Sequence, residues 1–214
     1  MTAATNYTTN KILVDYLLRG VANAAPTTLY YCLFVASKGY AAVSTTYSSG
    51  DTVVPVGFNP ARVYKCTTAG TSGSSAPTWT NTNGAIVTDG TVTWTEQTIA
   101  MIEGTFPPEA SYTGYVRESA TSALTTWSGT QTQGSNTAST GVGAALSTYN
   151  NAQITFGSPT GTQSGIVVGM YLSDSVTIGS GNIWFWSLLT NPKTINSGDA
   201  APNFPQYAFQ LTWS

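Results

Sequence analysis

Residues 62–97 read RVYKCTTAGTSGSSAPTWTNTNGAIVTDGTVTWTEQ, two β-forming fragments on either side of a run of small polar residues and proline. The run is either a spacer between domains or the long loop of a small folded module. The second fragment carries the strongest local signal in the chain. Asp89-Gly90 between β-type flanks in "IVTDGTVTW" (Ile86 to Trp94) predicts a two-residue type I′ hairpin. Counting outward pairs Thr88 with Thr91, Val87 with Val92, and Ala85 with Trp94. Val87, Val92, Ala85 and Trp94 then share one face, and Ile86 and the threonines the other. A two-stranded ribbon is marginal alone, so the Val/Trp face is expected to pack on the "ARVYKC" strand.

The rest of the chain has the length for one sizeable domain or one domain with a small insertion, at 214 residues. Its apolar fraction of 41% is enough for a core, but only 7% is charged, against about 25% in ordinary soluble proteins. Polarity comes instead from Thr, Ser, Asn and Gln. Short neutral side chains lose little rotamer entropy when another protein covers them, which suits β-rich assembly proteins. A hydroxyl-rich extracellular β-domain has the same composition. Net charge is −2 with no basic run, so nucleic acid is not an expected partner. Histidine is absent, which removes the commonest general base and metal ligand. Cys32 and Cys66 lack the spacing of a metal site and read as two free thiols, one disulfide being the alternative. "MTAATNYTTNK" has neither a basic start nor an apolar run, so no signal peptide is expected. No apolar run is long enough to span a bilayer.

Along the chain, "TTNKILVDYLLRG" (Thr8 to Gly20) predicts a helix. Ile12, Leu13, Tyr16 and Leu17 share a face, Thr9 or Asn10 caps the start, and Gly20 ends it left-handed. "LYYCLFVAS" (Leu29 to Ser37), apolar on both faces, predicts a central strand. "YTGYVRES" (Tyr112 to Ser119) alternates as a strand, with Gly114 marking a bulge, and residues 128–145 read as a long loop. "NAQITFG", "GIVVGMYLSD" and "NIWFWSLLT" predict three more strands, followed by the proline-rich crossover "NPKTINSGDAAPNFPQ". In the last segment, "YAFQLTWS", Tyr207, Phe209, Leu211 and Trp213 point one way. The expected fold is mainly β: an antiparallel β-sandwich or jelly roll with one short N-terminal helix and an inserted small β-module.

Chemistry is sparse. Glu103, Glu109, Glu118 and Asp174 are candidates for a hydrolytic carboxylate pair, but nothing in the sequence brings two of them together. Asp174 in "LSDSVTIGSGN" reads as a turn-capping residue rather than a calcium ligand. No catalytic residue, metal site or cofactor is expected. The live candidates are Tyr47, Tyr64, Trp79 and Trp94, an aromatic set with hydroxyl and amide neighbours of the kind that stacks on sugars. The alternative is a mini-core in which these rings hold a few short strands together. It is preferred because a small module needs its aromatics to fold.

"NKILVDYLLRGVANAAPTTLYYCLFVAS", "EASYTGYVRES" and "NIWFWSLLTNPKTINSGDAAPNFPQYAFQLTW" together resemble small virion proteins of tailed bacteriophages, labelled tail fibre protein and in some phages found on the head. The likeness rests on "LLRG", a "TLYxxLF" strand, a Glu before a "GY-R" strand, and a "FW..L..PK.....GD" segment. The sequence departs from that pattern in "YTGYVR", where members more often carry "GGYAR", and in the insertion before it. Within that insertion, Tyr47 to Gln97 is similar to a module of phage structural proteins and to small chitin- and cellulose-binding modules with a "GD.V…Y…P.W" skeleton. Tyr47, Tyr64, Trp79 and Trp94 fall on its aromatic positions and Gly50-Asp51 on its turn.

The resemblance implies a discontinuous β-sandwich core of residues 1–42 and 98–214, with a module of residues 43–97 projecting from it. The small-residue run is then a loop, because the same fold resumes after it. It further implies a non-enzymatic virion protein assembled in the host bacterial cytoplasm, whose partners are other virion proteins and copies of itself. A capsid decoration or cement protein is the first expectation. A tail or baseplate fibre protein that adheres to a host-surface glycan is the second.

Overall fold

The computed structural model describes residues 2–22, 24–39, 44–55, 62–106, 108–123, 126–127 and 147–212. The expected boundary near 43, the loop at 128–145 and the orientation of Trp213 lie outside the described residues.

The chain begins with β1 (Thr2–Ala4), α1 (Asn6–Thr9) and a π-helical segment, Asn10–Leu18. Gly20 ends it at φ +65°, as expected. The start differs from the expectation of Thr9 or Asn10. Thr5 is the cap, its Oγ1 accepting from Thr8 N–H at 3.4 Å. It is fixed there because Thr5 Oγ1 donates to the Ile183 carbonyl and Thr8 Oγ1 to the Trp184 carbonyl. No residue of the π-helical segment is buried, and Leu13, Tyr16, Leu17 and Leu18 are exposed.

Next come β2 (Thr28–Ala36), β3 (Lys38–Gly39), β4 (Thr46–Tyr47), β5 (Thr52–Val54), β6 (Tyr64–Thr68) and β7 (Gly70–Thr71). The hairpin strands are β8 (Ile86–Asp89) and β9 (Val92–Glu96), and α2 (Thr98–Ile102) follows. The remaining strands are β10 (Glu118–Thr121), β11 (Ser147–Tyr149), β12 (Ile154–Thr155), β13 (Ile166–Ser173), β14 (Ile183–Lys193), β15 (Asn203–Phe204) and β16 (Gln210–Thr212). The fold is mainly β, with antiparallel sheets and one short N-terminal helix.

Its frame is a five-stranded antiparallel sheet in the order β1-β14-β13-β2-β10. Alternation along β2 feeds two cores, as expected of a central strand. Tyr31, Leu33 and Val35 enter the first, with Met170, Leu172, Phe156, Phe209 and Leu211. Cys32, Phe34 and Ala36 enter the second, with Val168, Tyr171 and Trp186. The first core is covered in part by the two-stranded β11–β16 and β12–β15 ribbons, which contribute Leu211, Ile154 and Phe204. The second is closed by Met101 of α2 and by Val54 and Val63. The Phe34 ring lies over Gly169, where a Cβ would overlap it.

A second sheet, β3-β5-β6-β9-β8, has its own cluster of Tyr47, Val53, Tyr64, Cys66, Val87, Val92 and Trp94. Its hairpin is not turned at Asp89-Gly90. The register is Asp89↔Val92, Thr88↔Thr93 and Val87↔Trp94, so Gly90 and Thr91 form the loop, with Gly90 at φ +63° and Thr91 outside the positive-φ residues. Glycine at the first of two loop residues is the pattern of a type II′ turn. Asp89 stays in the strand because it is buried, with Oδ1 accepting from Gly73 N–H at 2.8 Å and Oδ2 from Trp94 Nε1–H at 3.4 Å. The slip is by two residues, so the faces hold: Val87, Val92 and Trp94 are buried and Ile86 is exposed. The "VYKC" strand, β6, pairs with β9 edge to edge instead of lying under the hairpin's face.

Two expected strands are irregular. Tyr112 to Arg117 leaves β structure around Gly114 (φ +101°), and only β10 remains of it. In the last segment Phe209 and Leu211 are buried together, but Tyr207 sits in a turn at φ +68° and is exposed. Both cysteines are free buried thiols in different cores.

Candidate functional site

The four aromatic candidates meet in one cluster. Tyr47 and Trp94 pack edge to face at 4.7 Å, Tyr64 and Trp79 lie 4.5 Å apart, and Trp79 lies 6.1 Å from Trp94. Tyr47, Tyr64 and Trp94 are at most 1% exposed, so their ring faces are covered from within, that of Tyr47 by Lys38 Nζ at 5.2 Å. Trp79 alone is half-buried. Polar groups of the cluster are matched internally, with the Tyr64 hydroxyl donating to the Thr80 carbonyl and accepting from Thr80 N–H at 3.2 Å. Gly50-Asp51 does form a turn, Asp51 N–H donating to the Ser48 carbonyl at 3.0 Å. Asp51 also holds Lys38 at 2.7 Å.

Buried Glu96, which sequence reading missed, anchors the exit of this sheet. It accepts from Arg62 Nη1 at 3.1 Å, from Gly84 N–H at 2.8 Å and from Thr98 N–H at 3.0 Å.

The four candidate carboxylates are dispersed, and no two share a hydrogen-bond partner among the described residues. Glu103 ends α2. Glu118 is half-buried beside Tyr31, its register partner, and burial raises its pKa. Asp174 caps the 174–182 loop, accepting from Asn182 N–H at 2.6 Å, Asn182 Nδ2 at 2.9 Å and Trp184 Nε1–H at 3.2 Å. Glu109 is the centre of the largest polar network described.

That network is positioned by the central sheet. Glu109 bridges to Phe34, extending the edge of β2 beyond its pairing with β10. Arg117 grips it in a fork, Nε to Oε1 at 2.8 Å and Nη2 to Oε2 at 2.7 Å, with side-chain exposures of 1% and 6%. Tyr115 and Tyr171 donate to the same carboxylate at 2.9 and 2.8 Å, and Gly179 N–H adds a bond at 3.2 Å. Tyr115 Oη also accepts from Leu33 N–H at 3.0 Å. Arg117 Nη1 donates to the carbonyls of Ser175 at 2.6 Å and Ser180 at 3.0 Å. Burial pushes the Glu109 carboxyl up, but Arg117, Tyr171 and Tyr115 overcome it and hold it below the usual range. Burial pushes the Tyr115 and Tyr171 hydroxyls up, so they remain donors. This set is fully engaged with itself and ties β2, β13 and the 174–182 loop together. Its sequence signal is a carboxylate and a guanidinium eight positions apart with Tyr112 and Tyr115 between them, in a chain with few charges.

No group of three or more Cys, Asp or Glu side chains among the described residues could hold a metal ion. No helix among them is long and apolar enough to cross a membrane.

No curated protein matches the chain. A family model does, under the description "Podophage GP4 fiber I protein gp80", over residues 100–212. The matched span contains the Glu109–Arg117 network and strands β10 to β16, whereas residues 43–97 lie outside it. Covering more than half of the 214 residues, that match identifies the chain as a member of the podophage GP4 fiber I protein gp80 family, a family of bacteriophage structural proteins.

Proposed function

We propose that this chain is a non-enzymatic structural component of a bacteriophage particle, and specifically a fibre protein rather than a capsid decoration protein. The observation that carries the reading is the family match over residues 100–212, whose description names a fibre. The low charge content fits a protein that attaches through shape-matched β surfaces and apolar rims, with few ion pairs. Other virion proteins and copies of itself are the expected partners. The self-engaged Glu109–Arg117 network fits a scaffold, because its hydrogen-bonding groups are spent on holding the fold.

Glycan adhesion through Tyr47, Tyr64, Trp79 and Trp94 is the second reading, and it rests on the half-buried Trp79. Burial of the other three rings favours the mini-core.

Gold-labelled antibody imaging of intact particles tests the first reading. Label confined to appendages at the tail is the expected result. Label spread over the capsid would restore the decoration reading, and unlabelled particles that lack the protein would overturn a structural role. For the second reading, a glycan array probed with the parent and the Trp79→Ala variant discriminates: sugar binding by the parent that Trp79→Ala abolishes would establish adhesion.

A further inference from the structure

A cavity of about 420 Å³ opens beside the central sheet where the β13–β14 ladder is interrupted. Pairing stops at Gly169↔Leu188 and resumes at Val167↔Lys193, so residues 189–192 stand opposite Val168 alone. This bulge and the crossover around residues 199–204 wall the cavity. Its floor is the open flank of the first core: Leu33, Val167 and Ile195 are buried there, and Leu189 and Phe204 pack against them. Every lining residue except Leu33 belongs to the family-matched span.

Two charges stand at the mouth, Lys193 and Asp199. The Asp199 carboxylate is committed to its own turn, accepting from Asn196 N–H at 2.7 Å and Asn196 Nδ2 at 3.3 Å. Lys193 is exposed and makes no ion pair among the described residues. Asp199 keeps its charge but is held in its turn through Oδ2. Lys193, on a long stem and without an ion-pair partner among the described residues, is therefore the charge that can turn to a ligand on this apolar floor.

We propose that this cavity is a binding site for a small amphiphilic anion, with an apolar body on the Leu33–Ile195–Phe204 floor and a carboxylate or sulfonate toward Lys193. Its volume lies in the usual range of small-molecule sites, about 300–1,000 Å³, and its plan is theirs: apolar walls with a few polar groups that set orientation. The lysine stem is long enough to follow the anion as a mobile point charge. A neutral polyol gains little from such a floor, and a cation meets Lys193. The site goes beyond the structural role proposed above and does not depend on it.

The test compares two dyes that share an arylamine body, anilinonaphthalene sulfonate and neutral N-phenylnaphthylamine, by fluorescence titration of the full chain. The sulfonate is expected to bind about two- to fivefold more tightly. Lys193→Gln should erase that preference and leave the neutral dye unchanged. Ala201→Trp, which fills the cavity, should abolish binding of both. Because Leu17 and Leu18 are the two most exposed neighbouring leucines on which a dye could also settle, a Leu17→Ser/Leu18→Ser variant must retain the parent's affinity. Equal binding of the two dyes, indifference to Lys193→Gln, or loss of binding in the helix variant would each overturn the site. If Ala201→Trp does not fold by circular dichroism, the exposed Lys193→Gln substitution decides alone.

Discussion

Arg117 meets Glu109 through two parallel hydrogen bonds of 2.8 and 2.7 Å, with both side chains almost sealed from water. The pair joins an irregular segment to β2 through Tyr115, and to β13 through Tyr171. Removing one partner strands the other as a buried charge, which costs about 3–5 kcal/mol. Glu109→Gln and Arg117→Met should each lower unfolding free energy in urea by that amount. Arg117→Lys should lose most of it too, since an ammonium cannot reproduce the fork. A loss below about 1 kcal/mol in all three would show that the network contributes little.

The same carboxyl sets an acid limit. Its pKa is depressed in the folded chain, so the unfolded chain binds the proton more readily. The Glu109 contribution is therefore complete above the unfolded value of about 4.3 and is lost as pH falls through the folded value below it. Denaturation midpoints measured from pH 6 downward should decline below about pH 4, and the decline should be shallower in Glu109→Gln.

Glu118 carries the opposite sign, because burial raises its pKa. Its protonated form is favoured in the fold, so its contribution is best below the unfolded value and worsens as pH rises through the folded one. Glu118→Gln should be neutral or stabilising at pH 7, by less than about 1 kcal/mol, and the gain should vanish at pH 4. Paired melts at the two pH values measure this.

The aromatic cluster separates by burial. Trp94→Ala empties the centre of its core and should cost about 3–5 kcal/mol. Trp79→Ala, at the half-buried rim, should cost clearly less. Comparable losses by thermal unfolding would mean that the rim ring is as embedded as the central one.

On the N-terminal segment, Leu17→Glu and Leu18→Glu should each change stability by less than about 0.5 kcal/mol, since these side chains are 67% and 76% exposed. Losses above 2 kcal/mol would place them against other parts of the chain.

Strands with unbroken period-two or two-sided apolar patterns were legible in the amino-acid sequence. β2, β13 and β14 emerge where expected because Tyr31 to Ala36, Val167 to Leu172 and Ile183 to Leu189 meet cores they are patterned for. Register was not legible. The hairpin turn moved from Asp89-Gly90 to Gly90-Thr91 because Asp89 has partners at Gly73 and Trp94. Tyr112 to Arg117 alternates, yet its side chains serve hydrogen bonds to groups as far along the chain as Ser180. The helix begins at Thr5 because its hydroxyl answers to β14, nearly the whole chain away. What failed in each case was local reading of a residue whose partner is distant.

Val54 and Val63 share the second core with Phe34 of β2 and with Met101 and Tyr171, so residues outside the family-matched span help to close a core to which that span contributes. Any replacement for residues 43–97 is therefore a graft, not an addition: the incoming piece must bring two apolar side chains to the places of Val54 and Val63. A variant in which residues 44–97 are replaced by a short glycine-serine bridge would uncover Cys32 and Phe34.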